Sequence, residues 1–373
     1  MIYLDSAATS LQKPQAVPQA VSEALRVCAS PGRGSHVPAM RAADVALDCR
    51  TLAAEFFGAP SPDNVVFTMN ATHALNIALA SLVRPGDRVV VSGWEHNAVT
   101  RPLHALGAEL VVARAPLFDA DATAEAFSKR LPGARCCVCT HVSNVFGFIL
   151  PIRRIAELCR TAGVPLVIDA SQSAGALRVD MRELEAAFVA MPGHKCLLGP
   201  QGTGLLLCGA PVRPLLFGGT GSNSALQDMP DFLPDRLEAG THNVPGIAGL
   251  LAGMEAVRDL GIGRILAHEQ RLLQHMCERL EAIPGLRLFR AKDAEMQAGV
   301  LSAVPESCTV EALSGALGER GVAVRAGLHC APLAHESAGT LKTGTLRFSF
   351  SPFNTVGEVT RAAEMTAQIM KKL

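Results

Sequence analysis

Two short stretches carry side chains able to do covalent chemistry. In "VAMPGHKCLLGPQGTG", Lys195 follows an apolar run and the pair Gly193–His194, and a glycine-rich segment comes after it. A lysine at a strand end beside apolar residues is partly desolvated. That lowers its pKa and favours an amine able to form a Schiff base. In "AGLHCAPL", residues 326–333, Cys330 sits in a segment of small residues that follows the strand-like "VAVRAG". Gly327 gives the segment freedom to turn, and Arg325 and His329 are expected to stabilise a thiolate, the form of cysteine that attacks.

Other segments end in residues of matching chemistry. "PLVIDASQSAG" closes an apolar run with Asp169, and Gln172 lies three residues on. A buried carboxylate needs a cationic partner, and the protonated ring nitrogen of pyridoxal phosphate is one such partner. After "NVVFT", the residues Ala71, Thr72 and His73 begin a helix, where free backbone N–H groups and the Thr72 hydroxyl would hold a phosphate. "GWEHNAV" places His96 where an imidazole can stack on a flat ring, and "THVSNVFG" supplies Asn144.

The elements that must position these groups read as alternating short β-branched runs and longer helical segments. "NVVFT" and "THALNIALASLV" are followed by "DRVVVSG" and "HNAVTRPLHALG", then "ELVVAR", "RCCVCT", "IRRIAELCRTAG", "PLVIDA", "AAFVAM" and "GTGLLLC". Such alternation predicts an α/β fold, a mostly parallel central sheet with helices on both faces, whose ligands lie at the carboxyl ends of the strands. From about residue 245 long helices lead into a smaller α/β C-terminal domain. The expected division is a large cofactor-binding domain over 15–250, and a small domain formed by 1–14 with 251–373 that carries the Cys330 loop. At 373 residues two domains are the starting expectation.

Composition excludes several classes. Lys+Arg and Asp+Glu both total 34, so no basic excess points to nucleic acid or an anionic membrane surface. Apolar runs are broken well short of the ~18 residues of a membrane helix. No secretory signal is visible in "MIYLDSAATS", so a cytoplasmic location is expected. Eleven cysteines is an odd number. Cys136 and Cys139 have hairpin spacing but no matching second pair, so "RCCVCT" reads as a buried strand and no metal site is expected. "HEQRLLQH" is no zinc helix, its histidines being seven apart.

The stretches "YLDSAATS", "NATHALNIAL", "EHNAV", "HVSNVFG", "VIDASQSAG", "GHKCLLGPQGTG", "EAGTHN" and "RAGLHCAP" resemble, in order from about residue 3 to 355, the cysteine desulfurase branch of the class V aminotransferase-like enzymes. The resemblance implies the pyridoxal-phosphate fold called fold type I. It makes Lys195 the lysine that carries the cofactor and the catalytic base. Asp169 would pair with the pyridine nitrogen, Gln172 with the ring hydroxyl, and His96 would stack on the ring and take part in catalysis. Thr72 and His194 would bind the phosphate, and Thr241 of "EAGT" would reach the phosphate of the other subunit, implying a homodimer. Asn144 would lie beside substrate and cofactor, and Arg347 would clamp the substrate carboxylate. Cys330 would be the nucleophile that takes sulfur from L-cysteine as a persulfide, leaving alanine, for a sulfur-acceptor protein or thiol.

Selenocysteine lyase is the closest competing reading, and a class V aminotransferase or epimerase without sulfur chemistry is the other. Two departures stand out. Many relatives carry Ser or Thr where this chain has Pro192, and a Gly-Thr-Thr-Glu-like loop where it has Asn70-Ala71-Thr72-His73. Pro192 offers neither hydroxyl nor N–H, so looser phosphate binding is expected. His36 resembles a histidine of the active-site entrance, and Cys196, beside Lys195, is expected to be a packing residue.

Overall fold

The computed structural model describes residues 1–32 and 34–372. Strand β1 (Ile2–Tyr3) precedes helices α1 (Ala16–Val27) and α2 (Val37–Phe57). The alternating stretch follows as β2 (Val65–Thr68), α3 (Ala71–Leu82), β3 (Arg88–Ser92), α4 (Asn97–Ala105), β4 (Glu109–Ala113), α5 (Ala120–Ser128), β5 (Cys136–Thr140), α6 (Ile152–Ala162), β6 (Leu166–Asp169), β7 (Phe188–Pro192) and β8 (Gly204–Cys208). These strands form one seven-stranded sheet in the order β2-β8-β7-β6-β5-β3-β4. Only β8 runs against its neighbours, so the central sheet is mostly parallel, as the alternation predicts.

A parallel strand covered on both faces must be apolar throughout. β5 shows this, with all five residues of "CCVCT" buried. Cys136, Cys137 and Cys139 pack as small hydrophobes, and burial pushes the Cys136 thiol up to about 12. One face of the sheet packs Trp94, Phe146, Phe148, Ile155 and Leu250 into a single core, and the other packs Leu75, Leu79, Val99 and Leu103 from α3 and α4.

The C-terminal part begins with α7 (Val244–Leu260) and α8 (Ile262–Leu280), separated by Gly261. Ile247, Leu250 and Met254 of α7 belong to the core beneath the large sheet. Leu272, Met276 and Leu280 of α8 belong to another. That second core is built with β9 (Leu286–Phe289), β10 (Val300–Pro305), α9 (Val310–Glu319), β11 (Val322–Ala323), β12 (Arg325–Gly327), β13 (Thr345–Ser349) and α11 (Val356–Met370), while α10 (Pro332–Ala338) places Ala334 in the core of the large sheet. β12-β13-β10-β9 form an antiparallel sheet, while β1 pairs in parallel with β11 and brings the N-terminal segment to this side.

The run "VAVRAG" is two strands and not one. Val322–Ala323 pairs with β1 and Arg325–Gly327 with β13, so the chain changes partner at Val324. Helices α1, α2 and α5 and strand β9 were not legible as separate elements in the sequence. α1 and α2 are held mainly by packing on α7, a distant segment.

Candidate active site

The carboxyl ends of β3, β5, β6 and β7, with the start of α3, surround a cavity of about 230 Å³. Ala71, Thr72, His96 and Asn144 line it. Asp169, Gln172, His194 and Lys195 line it as well, with Pro192. Thr241 is placed elsewhere, in a separate cavity of about 240 Å³ beside His73, Glu238 and His242. Glu238 there is buried and accepts from Arg50 Nη1 at 2.9 Å and from the Phe67 N–H at 2.6 Å.

Each of these side chains is aimed by its own element. Asn70 caps α3, and its Oδ1 takes the His73 N–H at 2.9 Å. The cap leaves the N–H groups of Ala71 and Thr72 to the cavity, at the positive end of the helix. His96 caps α4: its Nδ1 accepts from the Ala98 N–H at 3.0 Å, so a neutral ring carries its proton on Nε2. Burial holds the His96 pKa below the ordinary histidine value, against the pull of Asp169. Asp169 is itself buried and accepts from the Ser171 N–H at 2.9 Å through Oδ1.

Lys195 follows β7, and its pKa is lowered to about 8 by burial, opposed by the Asp169 carboxylate. Its main chain is clasped from the N-terminal segment. Ser10 Oγ donates to the carbonyls of His194 and Lys195 at 3.0 Å each, and Lys13 Nζ donates to the His194 carbonyl at 3.1 Å. Thr9 Oγ1 bonds His194 Nδ1 at 3.0 Å. Gln172 Nε2 donates to the Ala7 carbonyl at 2.9 Å, again within that segment.

Sequence reasoning passed over Ser10, Lys13, Asp5 and Glu95. Only the polarity of an N-terminal stretch, and a carboxylate inside the apolar "GWEH", could have signalled them. Glu95 is fully buried, accepts from Ser92 Oγ at 2.5 Å and from the Thr140 N–H at 2.9 Å, and is pushed up to about 8 by burial.

Cys330 is exposed, whereas Cys196 is half-buried with its thiol pushed up to about 12 by burial. The Cys330 turn is strained: His329 and Cys330 both take left-handed backbone, with φ of 48° and 56°. It is tied to the cavity wall by two main-chain oxygens. Asn97 N–H donates to the Cys330 carbonyl at 2.7 Å and Asn144 Nδ2 to the His329 carbonyl at 2.9 Å. The expectation that His329 supports the thiolate fails. Its ring is buried, faces Thr345 through Nε2 at 3.0 Å, and burial lowers its pKa to about 2, so it is uncharged. Arg325 is turned to Asp5 at 3.0 Å, and Asp5 also meets Arg347 at 2.8 Å. His36 caps α2, accepting from the Ala39 N–H at 3.3 Å.

The donor set fits pyridoxal phosphate. The cavity offers a desolvated amine, a buried carboxylate, an imidazole on the wall, and a helix N-terminus with two N–H groups that no described residue caps. The amine suits a carbonyl, the carboxylate a protonated ring nitrogen, and the helix end a phosphate.

The Aminotransferase class-V family model matches residues 2–362. A probable cysteine desulfurase of Mycolicibacterium paratuberculosis is 34% identical over 96% of this chain, and the chain spans 54% of that relative's length. A probable cysteine desulfurase of Methanothermobacter thermautotrophicus is 32% identical over 99% of this chain and 94% of the relative. An apo structure of a cysteine desulfurase from Thermococcus onnurineus NA1 superposes with a TM-score of 0.90 at 29% identity, over 100% of this chain and 95% of that one.

Proposed function

The chain belongs to the cysteine desulfurase branch of the class-V aminotransferases, and from that membership we propose that it is a pyridoxal-phosphate-dependent L-cysteine desulfurase that converts cysteine to alanine and keeps the sulfur on Cys330. The observation that carries the reading is the junction of one cavity holding Lys195, Asp169 and His96 with one exposed thiol whose carbonyl is bonded to the residue after His96.

When bound, the cofactor supplies an electron sink for charge developing at the substrate's α-carbon. The chain's own residues supply the rest. Lys195 Nζ would hold the cofactor and would move the α-proton; an amine whose pKa burial lowers to about 8 is matched to that task. Asp169 would keep the ring nitrogen protonated, Gln172 would bond the ring hydroxyl, and His96 would stack on the ring. Ala71, Thr72 and His194 would hold the phosphate, Asn144 would contact substrate and cofactor, and Arg347 would bind the α-carboxylate. The Cys330 thiolate attacks the substrate sulfur; the carbon–sulfur bond breaks with its pair on carbon, which takes a proton to become the alanine methyl. A sulfur-acceptor protein or thiol then removes the sulfur from Cys330.

The active form is a homodimer in which Thr241 reaches the partner's phosphate. Phe217, Leu226 and Phe232, exposed in the segment before Thr241, support a covered face there. Residues 15–250 form the cofactor domain, with 1–14 and 251–373 forming the smaller one. The setting is cytoplasmic; no described helix is long and apolar enough to cross a membrane.

Mass spectrometry after exposure to L-cysteine tests this. Added sulfur on Cys330, with alanine released and both lost in Cys330→Ala while the cofactor absorbance persists, is the expected result. Transamination that survives Cys330→Ala, with no added sulfur in the wild type, overturns it.

A further inference from the structure

Arg325 and Arg347 stand directly opposite each other in the β12–β13 pair. Like charges in that register repel, and Arg347 is only 2% exposed. One carboxylate serves both. Asp5 Oδ1 accepts from Arg347 Nη2 at 2.8 Å, and Asp5 Oδ2 accepts from Arg325 Nε at 3.0 Å. The third partner is neutral: Arg347 Nη1 donates to the Asn144 carbonyl at 2.9 Å. Arg347 Nε is buried and meets no acceptor among the described residues. Two guanidiniums and one carboxylate leave one positive charge uncompensated, with an unfilled donor on the buried arginine.

That deficit equals the single negative charge of an amino acid's α-carboxylate. We infer that Asp5 is a resident counter-carboxylate on Arg347, and that the substrate carboxylate replaces it there while Asp5 stays paired with Arg325. The inference rests on the reading of Arg347 as the carboxylate partner. The exchange leaves every charge paired: substrate with Arg347, Asp5 with Arg325. The Arg325 side chain is 52% exposed, against 2% for Arg347, so it has room to follow Asp5 outward. Asp5 thereby tunes how strongly the site holds a carboxylate: it competes with the substrate carboxylate for Arg347, so that product can leave.

The two flanks of the exchange give opposite signs. Asp5→Asn removes the competitor, and Arg325→Gln removes the place to which the competitor withdraws. The readout is the Kd of L-cysteine relative to cysteamine, which lacks only the carboxylate, taken from cofactor absorbance on Cys330→Ala holoenzyme. We expect Asp5→Asn to raise the preference for L-cysteine about tenfold, and Arg325→Gln to lower it about tenfold, the size of one charge-assisted hydrogen bond. Asp5→Glu, which keeps the charge, is expected to hold the wild-type ratio. A merely structural ion pair would weaken binding in both variants, or move L-cysteine and cysteamine together. Either result overturns the inference. Failure of the desulfurase reading shows separately, as no sulfur on Cys330 of the otherwise unaltered enzyme.

Discussion

The main-chain N–H of Asn97 donates to the carbonyl oxygen of Cys330 at 2.7 Å, so the first residue of α4 anchors the turn that carries the exposed thiol. His96 lies one residue before that donor and lines the cavity. A movement of the turn is therefore felt at the cofactor wall.

Asn97→Pro isolates this contact. A helix tolerates proline at its first position, and His96 already has the extended backbone, ψ 156°, that a following proline requires. The N–H is lost, and with it the long 3.5 Å bond that Asn97 Oδ1 accepts from Thr100 Oγ1. We expect sulfur transfer to Cys330 to slow about fivefold to tenfold, as for loss of one hydrogen bond. The cofactor Kd should change less than twofold, both measured by rapid quench and absorbance titration.

Pro192 ends β7, lines the cavity, and can give no hydrogen bond to a phosphate. Pro192→Ser restores a hydroxyl at this position. The expected result is a cofactor Kd about threefold to tenfold lower. An unchanged Kd would show that the helix end suffices alone.

Glu95 is pushed up to about 8 by burial, so it folds as a neutral acid below that pH. Its folded pKa lies above the unfolded value near 4.3, so the folded state binds the extra proton. Stability from this group is complete below the unfolded pKa and is lost as pH rises toward 8. Glu95→Gln keeps the shape without the titration. Relative to wild type, the variant should gain up to ~1.4 kcal/mol per pH unit across that window, then level off. Urea denaturation of both proteins at pH 5, 6.5, 8 and 9 reads the difference, in which titrating groups remote from Glu95 cancel.

Glu238 bonds Arg50, the Phe67 N–H and His242 within one buried cluster beside Thr241. Glu238→Ala strands the Arg50 charge and should cost about 3–5 kcal/mol in chemical denaturation. Arg50→Met with Glu238→Leu, replacing both charges, should recover most of that loss.

Much of the scaffold was legible because a parallel sheet writes itself as apolar runs, and its strand ends are where polar residues with a task must stand. Asp169, Lys195, His96 and Asn144 were found that way, and all four line one cavity. What the sequence hid is long-range. Nothing local in "DSAATSLQK" says that Ser10 will clasp the Lys195 carbonyl or that Asp5 will bridge two arginines. The His329 ring was misjudged because a residue's neighbour in sequence need not share its side: its left-handed backbone sends the ring to Thr345 while Cys330 faces out.

The clasp formed by residues 5–13 bears on how the molecule is made. Those residues are synthesised early, yet their partners are Gln172, His194, Lys195, Arg325, Arg347 and Ser349. During synthesis the strap waits for each partner in turn, and its contacts with the C-terminal part, the most distant in sequence, close last. The Ser10 and Lys13 bonds at Lys195 need residues only up to 195, whereas the Asp5 and Ala7 end waits for Arg325, Arg347 and Ser349, so a chain stalled before residue 349 holds the lysine with its strap half-fastened.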